Sequence, residues 1–301
     1  MVGSSLINEL RNSGYKNLIF KDSNDLDLRN QKEVELFFKN EKPNVVIIAA
    51  AKVGGIQANN IYRAEFIYDN LMIQSNLINS SYISKVDKLI FLGSSCIYPK
   101  LSLQPIKEEY LLSNTLEYTN EPYAIAKIAG IKLCENYFKQ YGCNFLSLMP
   151  TNLFGYNDNF DLSTSHVLPA LLRKFHEAKN ESKDFVEVWG SGNPKREFMF
   201  VDDLSNAIKF VMENIDAEDI YKLNLSHINI GTGKDISIKE LSIVIKKIVG
   251  YKGEIIFNQS KPDGTLKKLL NIKRINDFGW FPKTDLNSDI KKTYNWFKKN
   301  V

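Results

Sequence analysis

The sequence is poor in cysteine, in long apolar runs and in clustered charge of one sign, and each shortage closes off a class of protein. Three cysteines in 301 residues, Cys96, Cys134 and Cys143, are an odd number in a long chain, so they read as free thiols rather than a disulfide framework. The longest uninterrupted apolar run, residues 45–51, is far too short to cross a bilayer, and the first residues lack the basic-then-apolar pattern of a signal peptide. A cytoplasmic protein with no membrane partner is expected. The net charge of +4 is not gathered into a basic block or a basic stripe interleaved with aromatics, so no nucleic-acid partner is expected; a small anionic ligand accounts for it better. No metal site is expected, and internal repeats and low-complexity segments are absent from the sequence.

What is there is an ordinary globular composition, 44% hydrophobic and 25% charged, long enough for one large domain or a main domain with a smaller one attached. The first half alternates short β-branched runs with longer periodic segments. Strands are expected over residues 17–20, 45–50, 88–92 and 145–149, and helices over 31–39, 62–83 and 122–141. This alternation is that of βαβ units, and the nearly all-apolar runs at 45–50 and 88–92 suit strands covered on both faces. The expected fold is an α/β doubly wound parallel sheet. From about Pro150 polar and glycine-rich loops appear, through residues 152–165 and again through 189–195. Loops at the C-terminal ends of strands are where ligands bind in such sheets. Residues 1–150 are therefore expected to hold a cofactor. Residues 151–301 should mainly form a smaller substrate lobe, with about 195–230 returning to the main sheet and helices over 238–249 and 288–299.

Tyr123 and Lys127, in the run Y-A-I-A-K, lie on one face of an expected helix. An ammonium beside a phenol favours the phenolate and lowers its pKa, which makes a proton donor or acceptor usable near neutral pH. The spacing alone proves little: Tyr294 and Lys298 repeat it and are given no role. Context separates the two pairs, because the strand ahead of Tyr123 ends in Gly93-Ser94-Ser95 and supplies a hydroxyl at its tip. Serine, tyrosine and lysine in that order and setting resemble the active site of the short-chain dehydrogenase/reductase superfamily. The plainer alternative is a turn serine with a surface Tyr/Lys pair.

Eight further segments narrow the resemblance: residues 49–55 (AAAKVGG), 93–100 (GSSCIYPK), 120–127 (NEPYAIAK), 150–155 (PTNLFG), 189–192 (WGSG), 196–198 (REF), 201–203 (VDD) and 261–264 (KPDG). In this order, over nearly the whole chain, they resemble the GDP-L-fucose synthase family. The resemblance implies NADPH as cofactor, a GDP-sugar as substrate and a homodimer. A ketone at C4 of the sugar acidifies C3 and C5, so each proton can leave through an enolate and return on the other face. The resemblance implies Cys96 as the base and His166 as the acid for these transfers. A thiol is competent if positive charge stands near it, and histidine titrates in the useful range unaided. Taken singly, a cysteine after a strand is more often a small buried hydrophobe, and a lone histidine a structural one. In the subsequent reduction, the family assigns the proton to Tyr123, a hydrogen bond to Ser94 and the nicotinamide ribose to Lys127.

The resemblance further implies a cofactor lining of Gly3, Lys21, Ser23, Leu28, Leu92, Gly93, Ser94, Ser95, Lys127, Pro150, Thr151, Asn152, Leu153 and His166. Around the GDP-sugar it implies Asn152, Lys174, Trp189, Arg196 and Asp263. Arg196 and Lys174 suit a diphosphate. Trp189 offers a flat surface or, alternatively, packs in the core; Arg196 could instead make a surface ion pair with Glu197. One departure stands at the start. The dinucleotide fingerprint is a strand and a glycine-rich turn opening a helix, whereas this sequence begins Met1-Val2-Gly3-Ser4 and resembles only the end of that turn. A fold lacking the first strand, a gap beside residues 17–20 and weak NADPH binding are expected from this. Rival readings are a nucleotide-sugar 4-epimerase or 4,6-dehydratase, although Ser95-Cys96 stands where dehydratases carry an acidic pair, and a nucleotide-sugar-binding protein without catalysis.

Overall fold

The computed structural model describes residues 1–261 and 263–301, so Pro262 of the segment at 261–264 lies outside the described residues. The chain opens with helix α1 (Val2–Asn12) and α2 (Gln31–Glu41), the latter capped by Asn30 on the amide of Glu33. Strand β1 (Val45–Ile48) leads through α3 (Ile56–Ile61) into the long α4 (Arg63–Ile83) and β2 (Lys88–Leu92). Helix α5 (Glu121–Tyr141) starts with Pro122 in its first turn and stops at Gly142, whose φ of 69° ends it. Strand β3 (Phe145–Pro150) comes next. After β4 (Asn152–Phe154) stand α6 (Val167–Asn180), β5 (Phe185–Trp189), β6 (Lys195–Phe200), α7 (Val201–Asn214), α8 (Ala217–Tyr221) and β7 (Ile228–Ile230). The remaining elements are β8 (Asp235–Ser237), α9 (Ile238–Val249), β9 (Glu254–Asn258), β10 (Lys267–Lys268), α10 (Lys273–Asp277) and α11 (Leu286–Asn300).

The main sheet is parallel throughout, in the order β1-β2-β3-β7. Alternate residues of its strands feed different cores. Ile90, Leu92, Leu146 and Leu148 face α1, α7 and α8 with Leu6, Leu204 and Ile208. Leu89, Phe91, Phe145 and Met149 face α2, α4 and α5 with Val34, Ile78 and Ile131. The doubly wound sheet expected from the sequence is present. A third core, with Phe154, Phe175, Val188, Leu241 and Phe297, belongs to the C-terminal lobe. There β6 pairs with β4, β8 and β10, and β5 pairs with β9.

Residues 17–20 do not form the expected strand. A strand needs a hydrogen-bonded neighbour, and β1 pairs with β2 alone among the described residues. The segment has no regular structure and is unpaired: Leu18 tucks against the first core, Phe20 is 55% exposed, and Arg11 lies 5.5 Å above the Phe20 ring. Conversely, Val2–Asn12, whose first residues resemble the end of a turn, is helical from its second residue.

Candidate active site

Strand β2 runs out at Leu92, and the amide of Gly93 still bonds the Leu148 carbonyl of β3 at 2.9 Å. The next residue, Ser94, is extended and caps a short 3-10 turn over Ser95–Ile97, its Oγ accepting the Cys96 amide at 3.3 Å. Ser94 and Cys96 are thus held in one turn. Tyr98 anchors that turn: it is 2% exposed, and its hydroxyl bonds Asn229 and lies 2.7 Å from Nε2 of His227. Burial pushes His227 down to about 3. It is therefore a neutral structural ring.

Helix α5 brings Tyr123 and Lys127 to the same place. The Ser94 hydroxyl favours the Tyr123 phenolate, and the Tyr123 ring meets Phe66 of α4 edge-on at 6.3 Å. Lys127 is 3% exposed; its Nζ donates to the Leu92 carbonyl at 2.8 Å and lies 5.8 Å from the Tyr123 ring centre. Burial holds its pKa down at about 7. Tyr123 shifts upward from its ordinary value, by burial first and then by negative charge at Cys96, against which the Ser94 hydroxyl acts. The expectation that Lys127 lowers the Tyr123 pKa is corrected here. Desolvation raises the phenol, and Lys127, itself held down at about 7 by burial, has lost its charge before the phenol titrates.

His166 stands at the head of α6 as its N-cap. The loop before it is knotted by Asp161, whose carboxylate accepts the amides of Ser163 at 2.9 Å and Thr164 at 3.1 Å, an Asx-type turn. His166 is an exposed residue, yet the protein packed around its imidazole disfavours the imidazolium and lowers the pKa. The positive end of α6 acts in the same direction.

Among the residues expected around a GDP-sugar, Trp189 is 49% exposed at the end of β5, so it is not a core residue. The Nζ atoms of Lys174 and of Lys261, which the sequence did not single out, each lie 5.4 Å from its ring centre. Arg196 donates to the Lys195 carbonyl at 2.8 Å and makes no ion pair among the described residues. Negative charge at Cys96 and Asp263 reaches it and favours its charged form, although burial outweighs both. The expected alternative of an Arg196–Glu197 surface pair does not occur, because Glu197 points inward. Its carboxylate accepts the amides of Gly233 at 2.8 Å and Leu270 at 2.9 Å. Its carbonyl accepts from Asn152 at 2.8 Å. Asp263 spends both oxygens on the amide and hydroxyl of Ser191, at 2.6 and 2.8 Å, and so shapes the turn after Trp189.

Of the residues expected to line a cofactor, Leu92 to Ser95 and Pro150 to Leu153 do come together, at the C-terminal ends of the adjacent strands β2 and β3. Gly3 lies in the first turn of α1, which has no side-chain cap. Lys21 and Ser23 sit on an exposed loop. Leu28 turns into the core beside Val34 and Phe38, and its carbonyl accepts from Asn76 at 2.9 Å; its side chain is not with the others. NADP fits what is present, because the free first-turn amides of α1 suit a pyrophosphate and the Lys127 ammonium stands beside the strand tips.

A parallel sheet with Ser94 at the tip of β2 and Tyr123 and Lys127 on the following helix α5 has the form of a short-chain dehydrogenase/reductase type of site, and comparison with known proteins gives the family. The model of the NAD dependent epimerase/dehydratase family matches residues 1–231, and the chain belongs to that family. Within it, the chain is 52% identical over 304 residues to a GDP-L-fucose synthase of Escherichia coli (strain K12), covering 100% of this chain and 94% of that one. A GDP-6-OMe-4-keto-L-xylo-heptose reductase from C. jejuni superposes with a TM-score of 0.95 at 42% identity, over 100% of this chain and 95% of that one. A GDP-L-fucose synthetase from Naegleria fowleri bound to NADP gives a TM-score of 0.91 at 30% identity, over 99% and 90%.

Proposed function

We propose that the chain converts GDP-4-keto-6-deoxy-D-mannose to GDP-L-fucose, inverting C3 and C5 and then reducing C4 with NADPH. The observation that carries this reading is the single turn that holds Ser94 and Cys96 together and packs on α5, the helix that carries Tyr123 and Lys127. One place then offers a base for carbon acids and an acid for the C4 oxygen. Cys96 takes the proton from carbon and His166 returns one from the head of α6. Bound NADPH supplies the hydride. Tyr123 protonates the C4 oxygen while Ser94 hydrogen-bonds it, and Lys127 bonds the nicotinamide ribose. Residues 1–150 hold the dinucleotide, and residues 151–301 mainly hold the GDP-sugar.

The test is product identity after incubation with the keto-sugar and NADPH. GDP-L-fucose is expected. A product reduced at C4 without inversion would make the chain a reductase alone, the reading favoured by its likeness to the heptose enzyme; absence of turnover would overturn both. Arg196 and Lys174 meet the diphosphate in this scheme. Arg196→Ala should therefore raise the KM for the GDP-sugar by roughly tenfold to a hundredfold, the worth of a hydrogen bond to a charged group, with little change in NADPH affinity. Equal losses for both ligands would remove Arg196 from the substrate site.

The chain works as a homodimer through α4 and α5. Apolar residues run right round α4, and a helix of that kind is normally covered. Tyr68 and Ile125, each two residues beyond the Phe66–Tyr123 contact, are 61% and 43% exposed. Sedimentation equilibrium should give a dimer that Tyr68→Asp with Ile125→Asp converts to monomer; a monomeric parent would refute it. No helix of the described chain is long and apolar enough to cross a membrane. The cytoplasm suits the reaction, because a reducing compartment keeps Cys96 a free thiol.

A further inference from the structure

The segment at residues 49–55 has no part in the chemistry above, yet the structure gives its last residues a definite neighbour. The amide of Gly55 donates to the Thr164 carbonyl at 2.8 Å, two residues before His166. A methyl group on Gly55 would lie 2.5 Å from the Ser165 carbonyl oxygen and 3.3 Å from that of Thr164. Gly55 has an ordinary backbone, with φ of −66° and ψ of 179°. Glycine is therefore needed here for close approach and not for conformation. Since the obstruction is backbone, no side-chain rotation relieves it.

The same turn is clamped from the helix side. Asn59 is 6% exposed and its Nδ2 donates to the carbonyls of Gly54 at 2.7 Å and Gly55 at 3.0 Å. Asn70 is 2% exposed and takes both the amide and the carbonyl of Lys52, each at 3.0 Å. Two buried amides thus fix both ends of one short turn, and its tip rests on the strand that leads into His166. Phe66 joins the two halves of the site, because its ring touches Tyr123 and would lie 3.2 Å from a methyl group on Gly54.

We propose that Gly55 is a positioning residue for His166: through its hydrogen bond to Thr164, and with Asn59 holding it rigid, it sets where the imidazole stands in the cleft. This rests on the proposed role of His166 in proton transfer to carbon. Displacing the 164–165 backbone by the ångström or so that a methyl group demands should slow a proton transfer on the order of a hundredfold. The free amides that suit a dinucleotide pyrophosphate lie elsewhere, in the first turn of α1.

The experiment is a double-mutant cycle on the whole enzyme, reading deuterium uptake from solvent at C3 and C5 of the keto-sugar, with NADPH affinity measured alongside. Gly55→Ala should lower the uptake that depends on His166 by roughly a hundredfold and leave NADPH affinity within about twofold. In a His166→Asn background the same change should have almost no further effect, because both act through one group. Asn59→Ala, which opens space instead of closing it, should give a smaller loss of the same kind and serves if Gly55→Ala does not fold. Effects that multiply across the cycle, or a parallel loss of NADPH affinity in both variants, would overturn the proposal and leave Gly55 a structural residue. Full uptake in His166→Asn alone would instead sink the role of His166, an outcome distinct from failure of the positioning.

Discussion

Tyr123→Phe should lower the rate of NADPH oxidation with the keto-sugar by roughly 10²- to 10⁴-fold, the worth of a positioned general acid. The phenyl ring keeps its edge contact with Phe66, and only the hydroxyl is lost, so thermal stability should change little. The acid role fits the electrostatics. Burial raises the Tyr123 pKa above its ordinary value, so the phenol stays protonated throughout the neutral range and is ready to give its proton. Lys127, held down at about 7, loses its ammonium as pH rises past that point, so reduction should weaken on the alkaline side of neutrality in the parent enzyme. Single-turnover oxidation of NADPH is the measurement. A near-normal rate in Tyr123→Phe would take Tyr123 out of the mechanism.

The parts of the fold that are legible in the sequence are those specified locally. The bounds of α9 can be read because Ser237 and Glu240 make a capping box and Gly250 takes the left-handed conformation at its end. β2 is legible as a short apolar run closed by Gly93. Residues 17–20 carry the same kind of signal but are unpaired, since pairing is a tertiary fact that composition does not contain. The site shows the same division. Serine, tyrosine and lysine are readable from order and spacing, whereas the pKa ordering of Tyr123 and Lys127 is not, because desolvation depends on how deep each side chain ends up. Lys261 at Trp189 is hidden by a separation of 72 residues, and the Tyr98–His227 contact by 129. The Gly55–Thr164 contact joins segments more than a hundred residues apart. The glycine is visible in the sequence, but the backbone it has to approach is not.

Cys96→Ser and His166→Asn should each abolish most solvent deuterium uptake into the keto-sugar while NADPH binds as in the parent. The reason is chemical competence. A serine hydroxyl in the turn after Ser94 keeps the shape of the thiol but is far too weak an acid to exist as the anion that removes a proton from carbon, so a loss of roughly 10²- to 10⁴-fold is expected. Asparagine at 166 keeps a polar side chain at the N-cap position of α6 but cannot carry a proton. The surroundings also fix the direction of the pH dependence. Burial lowers the His166 pKa below its ordinary 6.5, so the imidazolium needed to return a proton to carbon is present below that shifted value and is lost as pH rises through it. The limb of the uptake profile that belongs to His166 should therefore fall with increasing pH on the acid side of neutrality, and it should be missing in His166→Asn but retained in Tyr123→Phe. Nuclear magnetic resonance of the sugar recovered from deuterated buffer separates the two carbons. If both variants take up deuterium at the parental rate, proton transfer at C3 and C5 belongs to other groups, and the turn that joins Ser94 to Cys96 serves reduction alone.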